Sequence, residues 1–325
     1  MRTFSFLFLF TTISLNAQVD SSSVVDANRQ VLNTKAGMIT FEKPTVWQMF
    51  SYVPDDLCKF ARFTVQKENF GWDAAVAAST AALIATDQSL LDEADRVGKK
   101  MGGGWSTDSH YRKFLGLNIV PENLSSGVYY IGNGGTTVLL SGIFFGIGKI
   151  RHNDYRALNT SSELLECLFS VGIATQTVKH ITGRQSPVRA IDERNPGGDW
   201  QPFPSISAYQ KNTPNYDAMP SGHIATYIAT LTVIATNYPE IKWIRPVGYS
   251  LMALLAFNMV STKVHWVSDY PLGLFMGYVI GKTIAERRII RPRKDPVGEC
   301  TPKYKIRYNI NFAENTSLYG LSLTF

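Results

Sequence analysis

Apolar positions recur along most of this chain at helical spacing or in long runs, and near the C-terminal end they alternate one by one. Asp73 to Leu91 is Ala-rich with a polar end, which predicts a buried helix. Thr136 to Ile150 is a second apolar segment, entered through the turn Gly132-Asn133-Gly134-Gly135. Thr160-Ser161-Ser162-Glu163 has the form of a capping box. It opens a helix with Leu164, Leu165, Leu168 and Val171 on one face that ends near Lys179. Ile224 to Asn237, Ile244 to Met259 and Pro271 to Arg287 predict three more helices. Tyr304, Ile306, Tyr308, Ile310 and Phe312 then alternate with polar residues, as do Tyr319, Leu321, Leu323 and Phe325, with a turn at Glu314-Asn315-Thr316. That period of two predicts a β-hairpin over 302–325, which is marginal alone and needs a partner to pack on.

The pattern divides the chain. Residues 1–17 read as a signal peptide: Arg2 gives the positive start, Phe4 to Phe10 the apolar region, and Leu15-Asn16-Ala17 the small-residue cleavage site. Export to the periplasm or cell envelope follows as the expectation. Residues 18–54 are polar and Ser-rich, a lead-in expected to be extended or partly ordered. Residues 55–295 form the helical domain. Within it, Gln185 to Tyr216 is rich in Pro, Gly and aromatics and reads as a long loop, either a lid over a pocket or a packed surface loop. Gly127 to Gly148 and Ala218 to Pro239 carry no Asp, Glu, Lys or Arg and are long enough to cross a bilayer. Their many Gly, Thr, Ser and Asn residues favour buried core helices, with membrane association as the open alternative.

Composition adds little until charge is considered. The chain of 325 residues can hold one large domain or two small ones. Its formal charge of +6 suits phosphate-bearing substrates or an anionic membrane face, as well as an ordinary solvated surface. No Lys/Arg run is interleaved with aromatics, so nothing supports nucleic-acid binding. Cys58, Cys167 and Cys300 are an odd count. A Cys58–Cys300 disulfide is conceivable in an exported chain, and Cys167, in an apolar helix, reads as a buried thiol. No Cys/His pair has zinc spacing and no carboxylate cage is apparent, so no metal or other cofactor is called for.

Three blocks carry candidate chemistry. Pro220-Ser221-Gly222-His223 stands where a polar loop enters an apolar helix. A helix start there aims free amides and a positive dipole end outward, Gly222 admits a ligand to the backbone, and Ser221 adds a hydroxyl. His223 can protonate a leaving oxygen. His265 is followed four residues later by Asp269, which can hold one ring nitrogen and leave the other as nucleophile or base. Lys179 and Arg184 follow at the end of a helix, where they can clamp a phosphate or merely complement the helix dipole.

Taken together, the blocks resemble the superfamily of type 2 phosphatidic acid phosphatases, bacterial class A acid phosphatases and vanadium haloperoxidases. That pattern runs Lys, six residues, Arg-Pro; then Pro-Ser-Gly-His; then Ser-Arg, five residues, His, three residues, Asp. Lys179 and Pro187 match the first block, Pro220 to His223 the second in full, and His265 and Asp269 the third. The resemblance covers about residues 161–285. It implies a mainly α fold, a helical bundle with the C-terminal hairpin outside it, and a metal-free phosphatase acting on a lipid phosphate or small phosphate ester. It also implies roles: His265 attacks phosphorus to form a phosphohistidine, Asp269 orients it, and His223 protonates the leaving alcohol. Lys179, Ser221 and Gly222 hold the phosphoryl oxygens. The chain departs from the pattern twice, with Ser186 and Met259 where the family has phosphate-binding arginines. Arg184 is the expected substitute for the first and Lys263 for the second, with Arg189 a further candidate. Without such compensation the losses point to a catalytically impaired binding or envelope-structural protein. A vanadate-dependent haloperoxidase is the remaining alternative.

Overall fold

The computed structural model describes residues 24–25, 28–34, 37–102, 105, 111–114, 117–151, 154–291, 305–313 and 316–324. The expected signal peptide (1–17) and Cys300 lie outside them. The chain divides into two units after Ile290.

The first unit opens with an antiparallel sheet of β1 (Val24–Val25), β2 (Arg29–Thr34) and β3 (Gly37–Glu42), in the order β1-β2-β3. These strands lie in the lead-in expected to be extended or partly ordered. Leu32, Ile39 and Phe41 point from the sheet to a small core with Tyr155, Leu158 and Ile289, and Thr40 exchanges two backbone bonds with Ile290. The alternation is only three apolar residues long, too short to stand out among its Ser and Asn neighbours.

Helices follow: α1 (Gln48–Ser51), α2 (Val53–Val65), α3 (Phe70–Ile84) and α4 (Asp87–Met101). The single helix expected over Asp73–Leu91 is thus two helices, and the chain bends by 68° between them. A two-stranded pair, β4 (Tyr111–Phe114) and β5 (Leu117–Pro121), leads to α5 (Leu124–Ile131) and α6 (Gly134–Ile150). The Asn133 side chain caps α6 by accepting from the Gly135 amide at 3.0 Å. Next is α7 (Tyr155–Thr182), which starts before the supposed capping box. Asp154 is its cap, and the Thr160 hydroxyl instead bonds back to the Arg156 carbonyl at 2.9 Å within the helix. Gly183, left-handed at φ 55°, ends it.

The segment expected as one long loop contains α8 (Pro187–Asp192) and α9 (Ile206–Lys211). Gln185, Ser186, Pro187 and Ala190 are buried, so its first part is packed structure. The unit closes with α10 (Gly222–Asn237), α11 (Ile244–Ser261) and α12 (Tyr270–Arg288), close to the expected bounds. The second unit contains β6 (Lys305–Ala313) and β7 (Thr316–Thr324), antiparallel in a register from Lys305↔Thr324 to Ala313↔Thr316.

The central core joins α7, α10 and α12 through Leu164, Cys167, Val171, Ala225, Ala229, Val233, Met276, Ile280 and Ile284. Each large side chain buried there contributes roughly 1.5–3 kcal/mol. Gly273, Gly277 and Gly281 form a stripe on α12 that meets the backbone of α10. A Cβ at Gly277 would lie 2.1 Å from the Ala225 carbonyl oxygen, and one at Gly273 would lie 2.8 Å from that of Ser221. Backbone-to-backbone packing of this kind brings the start of α10 against the start of α12, which is where the candidate site forms. By length and composition α11 could cross a bilayer, and the bent pairs formed by α3 with α4 and α5 with α6 would qualify if each were one span.

Candidate active site

The candidate chemistry gathers where three elements end or begin. Ser221 caps α10, its hydroxyl accepting from the Ile224 amide at 3.4 Å. Its own amide donates to the Asp269 carbonyl at 3.1 Å, so the start of α10 is tied to the turn carrying Asp269. By helix geometry the amides of Gly222 and His223 have no acceptor within the helix and can serve an anion. A Cβ on Gly222 would lie 3.9 Å from Lys179 Nζ, placing the lysine beside this helix start. Lys179 Nζ stands 3.4 Å from Asp217 Oδ2. The hydroxyl of Thr182, at the end of α7, donates to the Met219 carbonyl at 2.7 Å and fixes that approach.

His265 follows α11 and is 3% exposed. Its Nδ1 is 3.3 Å from Asp269 Oδ2, which also accepts from the Trp266 amide at 2.9 Å. The short 3-10 turn Val267–Asp269 brings the carboxylate back to the ring. With Nδ1 turned to Asp269, Nε2 is the nitrogen left to react. The His223 and His265 rings have centroids 5.8 Å apart and meet edge to face, and the Tyr129 ring lies tilted against His223 at 4.9 Å. Burial, the neighbouring His265 and Lys179 push the His223 imidazole down to about 3. The Tyr129 phenol is raised by burial and by the Asp217 charge.

Lys179, Ser221, Gly222, His223, His265 and Asp269 therefore come together. The expected arginine replacements do not. Arg184 is 1% exposed and lies behind Asp269. One guanidinium nitrogen, Nη1, donates to Asp269 Oδ1 at 2.6 Å and Ser268 Oγ at 2.5 Å, and Nη2 donates to Asp87 Oδ2 at 2.7 Å. Nη1 and Nη2 are thus taken by the two carboxylates and Ser268, and Nε is buried with no hydrogen-bond partner among the described residues. Lys263 pairs with Asp95 at 3.2 Å, and Arg189 pairs with Glu193 at 2.9 Å. The departures are filled structurally: Met259 is fully buried in the core with Leu255, Trp266 and Ile224, and Ser186 is buried with its amide on the Pro214 carbonyl. Cys58 is an exposed free thiol, and Cys167 is buried, its thiol raised well above the usual range.

Sequence reasoning missed Asp87, Asp217, Tyr129 and Ser268. Asp217, three residues before Pro220, was within sight of the motif. Asp87 sits 181 positions from Ser268, whose amide and hydroxyl it accepts, and no local pattern could join them.

A buried ion pair behind one histidine, a second histidine facing it, and a lysine beside a helix start thus meet within the helical body. The PAP2 superfamily model matches residues 161–288, the segment that holds every one of these groups except Asp87 and Tyr129. This segment is similar to members of that superfamily. Among solved structures, the chain is similar to the crystal structure of the first transmembrane PAP2 type phosphatidylglycerolphosphate phosphatase from Bacillus subtilis. Identity is 13%, coverage is 74% of this chain and 96% of that one, and the TM-score is 0.36. No curated protein matches the chain.

Proposed function

We propose that the protein is a metal-independent phosphatase that hydrolyses a phosphate monoester, a lipid phosphate or a small ester, through a phosphohistidine on His265. The observation that carries this reading is the facing pair of histidines, with Asp269 on Nδ1 of one and Lys179 and the α10 amides beside the other. In the first step His265 Nε2 bonds to phosphorus as the ester P–O bond breaks, and His223 gives its proton to the leaving oxygen. In the second, neutral His223 takes a proton from water as its oxygen attacks phosphorus, and the N–P bond breaks to release phosphate. Lys179, the Ser221 hydroxyl and the Gly222 and His223 amides hold the phosphoryl oxygens throughout. A bound phosphate beside His223 also raises the affinity of its ring for the proton it must donate.

The missing arginines support a second reading, a site that binds phosphate esters and turns them over poorly, since the Lys179 ammonium beside the α10 start is shared with Asp217. One experiment separates the two. Phosphate release from a panel of lipid and chromogenic monoesters is measured with chelator present, for the wild-type chain and His265→Ala. Chelator-resistant release that disappears in His265→Ala supports the phosphatase. Folded wild-type protein that binds phosphate without releasing it from any ester favours the second reading.

A further inference from the structure

The chain Asp87–Arg184–Asp269–His265 links α4 to the candidate nucleophile through groups that are all nearly fully buried. Both oxygens of Asp87 are engaged: Oδ1 accepts from the Ser268 amide at 3.1 Å, and Oδ2 accepts from Arg184 Nη2 at 2.7 Å and from the Ser268 hydroxyl. The Arg184 guanidinium lies 4.7 Å from the Trp200 ring centroid and 5.4 Å from that of Trp266, which fixes its plane. On Asp269, Oδ1 takes Arg184 and Oδ2 takes the Trp266 amide and His265. The two acids and one guanidinium carry a formal charge of −1. Arg184 alone would cancel the charge of Asp269 and weaken its hold on the imidazolium. Asp87 offsets that cancellation.

We infer that Asp87 and Arg184 are positioning residues that set the orientation and proton affinity of His265 by acting through Asp269. This rests on the proposed role of His265 as nucleophile, and it gives Arg184 a part other than phosphate binding. Among the described residues, the titratable or charged groups near this chain of contacts include His223 of α10, whose ring meets that of His265, Lys179 of α7 and Tyr129 of α5 beside His223, Tyr270 of α12 beside Asp269, and the pair of Lys263 with Asp95 of α4. None of them changes in the variants below.

The test is a charge cycle read on the ring itself. Full-length wild type, Asp87→Asn, Arg184→Gln and the double variant are labelled with 15N-histidine. The His265 titration is then followed by NMR and assigned with His265→Gln. Asp87→Asn brings the local charge from −1 to 0 and is expected to lower the titration midpoint by about one pH unit, the size expected for one charge acting in a partly shielded interior. Arg184→Gln brings it to −2 and is expected to raise the midpoint. The double variant returns to −1 and should titrate close to wild type. A merely structural role predicts the opposite pattern, with the double variant perturbed at least as much as either single one. An unmoved or raised midpoint in Asp87→Asn, or a double variant no nearer wild type than the singles, overturns the inference. Where Asp87→Asn does not fold, an unmoved or lowered midpoint in Arg184→Gln overturns it alone. The readout needs no turnover, so absence of phosphate release would count against the phosphatase reading and leave this result standing. Where turnover is present, the acidic limb of kcat/KM should move with the ring.

Discussion

Glu163 offers a direct test of how this fold handles charge in its interior. The residue is fully buried on α7. Asn237 donates to Oε2 in a short contact, Arg288 Nε stands 4.0 Å from Oε1, and Oε1 has no hydrogen-bond partner. Burial dominates over Arg288, Asn237 and Arg287 and raises the carboxyl from 4.5 to about 7. The sign follows from linkage. The folded state holds this proton to higher pH than the unfolded chain does, so the stabilisation is fully present below pH 4.5 and is lost as pH rises through about 7. The difference between those two values sets a ceiling of roughly 3 kcal/mol, at about 1.4 kcal/mol per unit. Glu163→Gln keeps the shape of the protonated form and removes the titration. The variant should exceed wild type by no more than about 1 kcal/mol near pH 5 and by on the order of 2–3 kcal/mol at pH 9, several degrees in Tm. Denaturant unfolding of both chains at pH 5, 6, 7, 8 and 9 measures this. Parallel curves across that range would show that Glu163 is not protonated in the folded state at neutral pH, and the argument would be wrong. Asp56 and Glu166, also raised mainly by burial, add to the alkaline loss in both chains and cancel in the comparison.

Three further outcomes are expected. Gly273→Ala places a Cβ 2.8 Å from the Ser221 carbonyl oxygen, so α10 must shift. It should cost about 1–3 kcal/mol in stability and lower phosphate affinity, readable by thermal unfolding and product inhibition. His223→Gln removes the proton donor: hydrolysis of alkyl phosphates should fall about a hundredfold or more, and that of p-nitrophenyl phosphate, whose leaving group needs no proton, should fall far less. Equal losses on both esters would refute the general-acid role. Asp217→Asn frees Lys179 from its partner and should tighten phosphate binding severalfold by calorimetry, with weaker binding as the refuting result.

What could be read from the chain was local. Helical periodicity located α10, α11 and α12 nearly to their bounds, because each carries a long apolar run, largely buried in α10 and α12 and largely exposed in α11, and the period of two marked β6 and β7. The expectations that failed concern elements whose signals compete. Thr160 to Glu163 has a helix-start pattern, yet Tyr155 and Leu158 upstream are buried against the β2–β3 sheet, so burial extends the helix past the polar signal. Asp73 to Leu91 is helical throughout by composition, but Asp87 is drawn inward by Arg184 and Ser268, and the chain bends just before it.

Arg184 shows most clearly where one-dimensional reasoning stops. It lies two positions from Ser186, the vacant arginine position, and five from Lys179, and adjacency along the chain made it a natural second phosphate ligand. Direction decides otherwise. Lys179 is in the last turn of α7 and reaches the start of α10. Gly183 then turns the backbone left-handed, so tightly that a Cβ there would lie 1.8 Å from the Gln201 carbonyl oxygen. After that turn Arg184 enters the interior, where a lone guanidinium is costly unless it is paired. Asp87 and Asp269 pair it, from positions 97 residues before and 85 after. The same turn that directs a cation away from the proposed phosphate cradle therefore supplies one to the carboxylate behind His265. Restoring a cradle arginine by Ser186→Arg tests this division of labour, because the new side chain would have to leave a buried position. If the two cations have separate tasks, the charge cycle on His265 should be unchanged in a Ser186→Arg background even where phosphate binds more tightly. A shift in the His265 midpoint on that substitution, without phosphate present, would mean that the two positions share one electrostatic task.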